Sequence, residues 1–185
     1  MKLSSILTGS LSLITIVAVT ILTVEELKAQ EQAAIERNAV IEAEIADLQY
    51  QEQLQCMALN IYHEARSDST LGQEAVGMVT MNRVYSEKYP DTICDVVYQS
   101  HLNSRGNPIR NKCQFSWYCD GKNDTPHDKV KFKEAMYNAE WVMKNYGIER
   151  DITDGATMYH ASYVNPYWSK AYSKTSRIES HIFYK

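Results

Sequence analysis

His63-Glu64-Ala65-Arg66-Ser67 sets an acid between a histidine and an arginine at the end of an apolar helical pattern. The segment opens like a zinc-binding His-Glu-x-x-His helix, in which two histidines one turn apart grip the metal. Position 67 is Ser where the second histidine would stand, so the metalloprotease reading fails, and no metal or other cofactor is expected. Glu64 keeps a different use. A carboxyl beside apolar and aromatic neighbours such as Tyr62 and Ala65 has its pKa raised and can serve as a general acid. The plainer alternative is an exposed helix-end Glu paired with Arg66.

Four cysteines, Cys56, Cys94, Cys113 and Cys119, offer a second chemistry. A free thiol with a histidine base would make a peptidase. An even count in an exported domain instead suggests two disulfides, with three possible pairings. The six-residue spacing of Cys113 and Cys119 weakly favours a small closed loop. Zinc would want C-x-x-C spacings, which are absent.

The elements that must hold these residues can be read from periodicity. Leu54, Ala58, Ile61, Tyr62 and Ala65 fit one helix face, and Leu71, Ala75, Val76, Val79 and Val84 a second. Asp91 is placed to cap a short helix carrying Ile93, Val96 and Val97. Residues 100–127, with Gly106, Pro108, Gly121 and Pro126, read as a long loop or hairpin. A helix from about Asp128 to Tyr146 turns Phe132, Ala135, Met136, Ala139, Val142 and Tyr146 inward and stops at Gly147. Residues 156–185 alternate aromatic runs with turns, as strands or irregular structure would. The expected class is α+β, mostly helical.

Upstream of this domain the chain changes character. The formal charge of −4 over 185 residues hides a division. Residues 1–55 carry three cations and eight anions, whereas the remainder carries 16 and 15. Tyrosine divides the same way, with 12 of 13 after residue 55. The near-neutral balance gives no support to nucleic-acid binding, which calls for a basic excess. From Leu3 through Val24 there is no charge, and 22 residues of helix reach ~33 Å, about one hydrocarbon core. Lys2 precedes the run and Glu25-Glu26 follow it, which orients the amino terminus inside and the rest outside the cytoplasm. A retained signal-anchor is favoured over a signal peptide cleaved after Ala29, because a cleaved apolar region is normally ~7–15 residues. Diluting Ser, Thr and Gly would permit later release. Residues 25–53 lack Gly and Pro and read as a charged helical stalk. Leu27, Ala34, Ile41 and Leu48 recur every seven residues, a stripe for self-association over 27–48. The domain plan is therefore an anchor at 1–24, a stalk at 25–53 and a functional domain at 54–185.

Several segments of that domain together resemble the SleB/CwlJ-type cell wall hydrolase family. They are Cys56 to Arg66, Gly72-Gln73-Glu74-Ala75-Val76, Met81-Asn82-Arg83-Val84 and Pro90 to Gln99. Cys113 to Gly121, Ala156 to Ala161, Val164 to Trp168 and Ile178 to Tyr184 follow in family order. The likeness covers about residues 54–185. It implies a lysozyme-like fold that cuts the β-1,4 bond between N-acetylmuramic acid and N-acetylglucosamine in peptidoglycan. It also implies that Glu64, the acid of a Tyr-x-Glu-Ala-Arg motif, is catalytic. His63 and Ser67 depart from the residues more common beside it. A phage endolysin or a bacterial wall-remodelling enzyme would fit equally.

Ordinary glycosidases need two carboxylates, yet none is evidently paired with Glu64; Asp68, Glu74 and Asp120 are the candidates. One acid suffices if the substrate's N-acetyl group assists. Glu64 could then activate the sugar's own C6 hydroxyl and leave a 1,6-anhydro end, which is preferred here to hydrolysis. Aromatic faces with polar edges suit pyranose rings, so Phe115, Tyr159, Tyr163 and Trp168 are candidate groove residues, with Trp117, Tyr118 and Tyr167 near the same segments. Gln73, Gln114 and Ser116 are candidates for hydrogen bonds to acetamido or hydroxyl groups, and His160 and His181 for positioning Glu64 or a substrate carbonyl. A mildly basic tail at residues 156–185 would suit an anionic wall polymer. The remaining alternative is a membrane-tethered glycan-binding or structural protein without catalysis.

Overall fold

A computed structural model describes residues 4–185, with side-chain environments from Thr23 onward. The chain divides into two compact units, Met1–Leu48 and Gln49–Lys185. The first is helical, part of helix α1 at Ser4–Ala65. Its apolar side chains Leu27, Ile35, Val40, Ile41, Ile45 and Leu48 are exposed. Among the described residues no helix is long and apolar enough to cross a membrane. The span expected over residues 3–24 falls almost wholly outside the described side chains.

The second unit is built on the last turns of α1. Leu54, Met57, Ala58, Ile61, Tyr62 and Ala65 are buried at helical spacing. Against them pack α2 (Thr70–Val84), the short α3 (Ile93–Val97) and α4 (Lys129–Asn145). Gly77 lets these helices approach closely, since a Cβ there would stand 3.1 Å from a Val142 methyl and 3.3 Å from Ile61 Cδ1. Asp128 starts α4 by accepting from the backbone N–H groups of Val130 and Lys131, both at 3.0 Å. After α4, Gly147 takes φ +79°, a left-handed conformation suited to glycine.

Two expectations need correction. Leu71 is 49% exposed on the outer side of α2, whereas Gly72, Gln73, Ala75, Val76 and Val79 face inward. The cap of α3 is Thr92, whose Oγ1 accepts from Asp95 N at 3.1 Å. A hydroxyl one residue closer to the helix reaches its orphan N–H groups, and Asp91 is left exposed.

The region at 100–127 is a hairpin, β1 (Ser100–Leu102) against β2 (Pro108–Cys113), followed by a 3-10 turn at Ser116–Cys119. Disulfides join Cys113 to Cys119 and Cys56 to Cys94, the latter tying α1 to α3. The tail forms an antiparallel sheet in the order β3 (Met158–Ala161), β5 (His181–Tyr184), β4 (Lys174–Ile178), with a 3-10 turn at Tyr167–Ala171. Ala75, Val79, Ala156 and Phe183 form a second apolar cluster that seats this sheet on α2.

Candidate active site

Glu64 lies in the last turn of α1. The chain then leaves the helix, with Asp68 N donating to Ala65 O at 3.0 Å. Across from it stands β3. Its register pairs Tyr159 with Phe183 and Ala161 with His181, so strand alternation puts Tyr159, His181 and Phe183 on one face. His160, one residue on, faces the other way and stacks on Tyr184 with ring centroids 5.3 Å apart.

The two walls meet at a hydrogen bond, in which the Tyr159 hydroxyl donates to Glu64 Oε2 at 3.1 Å. Burial pushes the Glu64 carboxyl above its ordinary pKa, opposed by that hydrogen bond and by the nearby Arg83 guanidinium. Burial and the neighbouring Glu64 push the Tyr159 phenol well above its usual value, so it remains a donor. Arg83 is buried on α2. Its Nε donates to Thr157 O at 2.7 Å, and its guanidinium lies over the Phe115 and Tyr89 rings at 4.8 and 5.4 Å. Burial lowers its pKa.

No ion pair joins Glu64 to Arg66 among the described residues; Arg66 lies over the Tyr62 ring, 5.3 Å from its centroid. Glu64 opens on a cleft of about 520 Å³ that also contains Arg66, Ser116, Asp120, Asp124, Tyr163 and His181, within the ~300–1,000 Å³ typical of ligand sites. His63 forms part of its wall, stacked on Trp117 at 4.4 Å and bonded through Nε2 to Asp124 O at 2.9 Å. Trp117 is itself fixed from behind, its Nε1 donating to Asn60 Oδ1 and Asn60 Nδ2 to Thr80 Oγ1, both at 3.1 Å.

The expected site residues separate on this geometry. Ser116, Tyr159, His160, Tyr163 and His181 border the Glu64 cleft. Tyr163 is 86% exposed, a ring face open to solvent. His160 has both nitrogens engaged, with Ala161 O and the Tyr184 hydroxyl at 2.9 Å each. Trp168 packs edge-on against His160 at 5.6 Å, behind the cleft wall. Phe115 is buried under Arg83. Gln114 is exposed beside the β1–β2 hairpin, in another depression. Gln73 is buried, accepting from Asn138 Nδ2 at 2.8 Å, and borders a separate cavity of about 600 Å³ between the start of α2 and α4. Burial also raises the pKa of Glu74, on α2.

Of the candidate second acids, Asp120 shares the cleft. Its carboxyl accepts from Lys122 N at 2.8 Å, which holds it below the ordinary range. Asp68 is engaged with His181 and Ser180. Arg83 and Asp124, neither singled out beforehand, complete the charges around Glu64. Arg83 stands inside the Met81-Asn82-Arg83-Val84 segment, a signal that was available. Asp124 had none. All four cysteines are bonded, so the thiol-peptidase reading has no nucleophile. Among the described residues no group of three His, Cys, Asp or Glu gathers as a metal site.

Residues 67–184 match the family described as cell wall hydrolase. The matched segment begins just beyond Glu64. Two spore cortex-lytic enzymes of Bacillus cereus are each 41% identical over 49 residues, 26% of this chain. The match spans 19% of the length of those curated relatives. Among solved structures, the catalytic domain of the germination-specific lytic transglycosylase SleB from Bacillus anthracis superposes with a TM-score of 0.56 at 26% identity. That likeness covers 73% of this chain and 95% of that one. The catalytic domain of the Bacillus cereus SleB protein gives 0.50 at 26% identity, over 73% and 91%.

Proposed function

Because the chain belongs to the cell wall hydrolase family, we propose that it degrades peptidoglycan as a lytic transglycosylase-type glycosidase, with Glu64 as its single general acid and base. The bond cut is the β-1,4 link from N-acetylmuramic acid to N-acetylglucosamine. The observation that carries this reading is a buried carboxyl, raised in pKa, facing an open cleft with a phenol donor at its side. Such a group keeps its proton to higher pH than an exposed carboxyl and can give it up to a leaving oxygen.

Glu64 donates its proton to the glycosidic oxygen as the bond to the muramoyl C1 breaks. The muramoyl acetamido carbonyl supports the positive charge at C1. Glu64, now a carboxylate steadied by the Tyr159 hydroxyl and the Arg83 charge, takes the proton of the C6 hydroxyl. That oxygen closes onto C1 and leaves a 1,6-anhydro end. Asp120 and Asp124 share the cleft, but neither hydrogen-bonds to Glu64. Delivery by an anchor over residues 3–24, action outside the cytoplasm and self-association through residues 27–48 belong to the same proposal and rest on the sequence.

The test is mass spectrometry of muropeptides released from purified peptidoglycan. Anhydro ends are expected from the wild-type chain and no products from Glu64→Gln, which should still bind the polymer. Reducing muramic ends would replace transglycosylation by hydrolysis. Cut stem peptides, or full activity in Glu64→Gln, would overturn the assignment.

A further inference from the structure

The second carboxylate sought beside Glu64 exists, but it addresses the cleft through a histidine. Asp68 Oδ2 lies 3.1 Å from His181 Nδ1, and the two side chains are only 12% and 7% exposed. Ser180 Oγ donates to Asp68 at 3.0 and 2.9 Å and sits 3.1 Å from the same ring nitrogen. An ionised carboxylate only accepts, so Nδ1 must carry the hydrogen, and a neutral imidazole then presents a bare lone pair at Nε2. Nε2 has no protein partner among the described residues, and the ring borders the cleft. Burial lowers the His181 pKa against the opposing pull of Asp68, which keeps the ring an acceptor near neutrality.

The arrangement is built in advance of any ligand. A Cβ on Gly72 would stand 2.7 Å from Asp68 Cβ, so that glycine keeps the space Asp68 fills. The turn before β5 is clasped to the start of α2, with Ser69 N donating to Glu179 Oε2 at 3.1 Å and Ser69 Oγ bonding Oε1. Glu179 adopts φ +46°, a left-handed conformation for a non-glycine residue, which such anchoring sustains. Tyr159 links the two groups: its hydroxyl holds Glu64, while its ring meets His181 edge-on at 5.2 Å. Acid and acceptor thus flank one aromatic ring.

We propose that His181, oriented by Asp68, accepts a hydrogen bond from the 2-acetamido N–H of the sugar whose C1 reacts, and so makes the enzyme select glycan with a donor at that nitrogen. This rests on the substrate class proposed above. In a trans amide the N–H points opposite to the carbonyl. When the carbonyl turns toward C1, the N–H turns away and, once desolvated, needs an acceptor. A neutral His181 cannot serve a substrate carbonyl, since that would require a donor at Nε2.

Binding isolates this contact from the chemistry. In the full chain carrying Glu64→Gln, affinity is measured for peptidoglycan oligosaccharides with the native acetamido group and for counterparts methylated at that nitrogen, which keep the carbonyl and lack the N–H. Adding His181→Leu weakens binding to the native acetamido ligand about tenfold and leaves the N-methylated one unchanged. His181→Gln, which retains an acceptor, keeps most of the preference. Affinity for the native acetamido ligand falls as His181 gains a proton at acid pH. Around the ring stand Asp68, His160, Tyr159 and, one bond further, Glu64 and Glu179. Of these Asp68 favours the protonated ring, so Asp68→Asn moves that fall to lower pH. Equal losses on both ligands, as a hydroxyl donor would give, or no loss on either, overturn the inference. Should His181→Leu not fold, Asp68→Asn carries the test alone: a reduced preference for the native acetamido ligand over the N-methylated one and the downward shift support the inference, and their absence overturns it. A wild-type chain that never cleaves murein would instead sink the underlying enzyme reading.

Discussion

The two walls of the cleft are held in different ways. The α1 wall presents Glu64 from a helix whose inner face is apolar, locked against α2 and α4 and tied to α3 by Cys56–Cys94. The sheet wall presents Tyr159 and His181 through polar links: Tyr159 to Glu64, His181 and Ser180 to Asp68, Thr157 O to Arg83, Glu179 to Ser69. The first wall draws its rigidity from packing, which tolerates little loss of volume. The second sits on α2 through the small cluster of Ala75, Val79, Ala156 and Phe183 and takes the aim of its polar groups from a few hydrogen bonds, each worth about 1 kcal/mol net. Damage to the first should appear as lost stability, and damage to the second as altered chemistry at nearly constant stability.

The largest expected effect tests the packed wall. Ile61 is fully buried against the helices. Ile61→Ala should cost about 3–4 kcal/mol of unfolding free energy, read by denaturant titration. Activity per folded molecule at low temperature should change little, since Glu64 lies on the rigid turn beyond. A large drop in kcat with unchanged stability would erase the distinction between the walls.

That division also explains what could be read beforehand. Apolar periodicity placed α1, α2 and α4 and put Glu64 at a helix end, because burial of one face leaves a repeating trace in residue type. Gly147 was legible because a left-handed residue after a helix favours glycine. Leu71 was misassigned because helical spacing alone does not mark where a face ends. The cap of α3 slipped by one residue because Asp and Thr both suit that position. Among polar residues the signal fails. Gln73 and Gln114 have the same side chain, yet one is buried against Asn138 and the other lies exposed beside a hairpin. The Asp68–His181 contact spans more than a hundred residues and follows no local period. Arg83 reads as an ordinary surface cation until two rings and a carbonyl enclose it.

The middle-sized effect tests the polar wall. Tyr159→Phe removes one donor to Glu64 and little volume. A loss of about tenfold in kcat is expected, the worth of a single hydrogen bond, with stability within about 1 kcal/mol of wild type. The hydrogen bond favours the ionised carboxyl, so its loss raises the Glu64 pKa further. In the proposed reaction Glu64 must be protonated to act as the acid, so the alkaline limb of the pH–activity profile should move to higher pH. A limb that stays fixed, or moves down, would mean that Tyr159 does not tune Glu64.

The smallest effect concerns Glu64 itself and has the opposite sign in stability. Burial raises its folded pKa above the unfolded value, so the folded protein prefers the protonated carboxyl. Below the unfolded pKa both states are protonated, and the ionisation of Glu64 costs the fold nothing. As pH rises past that point, only the unfolded chain ionises freely, and stability falls until pH exceeds the folded pKa. Glu64→Gln carries no such penalty. Its melting temperature should therefore lie near that of wild type around pH 4 and rise above it toward pH 8, with the gap opening between those limits. Arg83 and Tyr159 work against this by favouring the carboxylate, which keeps the gain modest. A constant gap across that range would show that these two neighbours cancel desolvation, and a gap that reverses toward pH 8 would show that they outweigh it and hold the acid ionised.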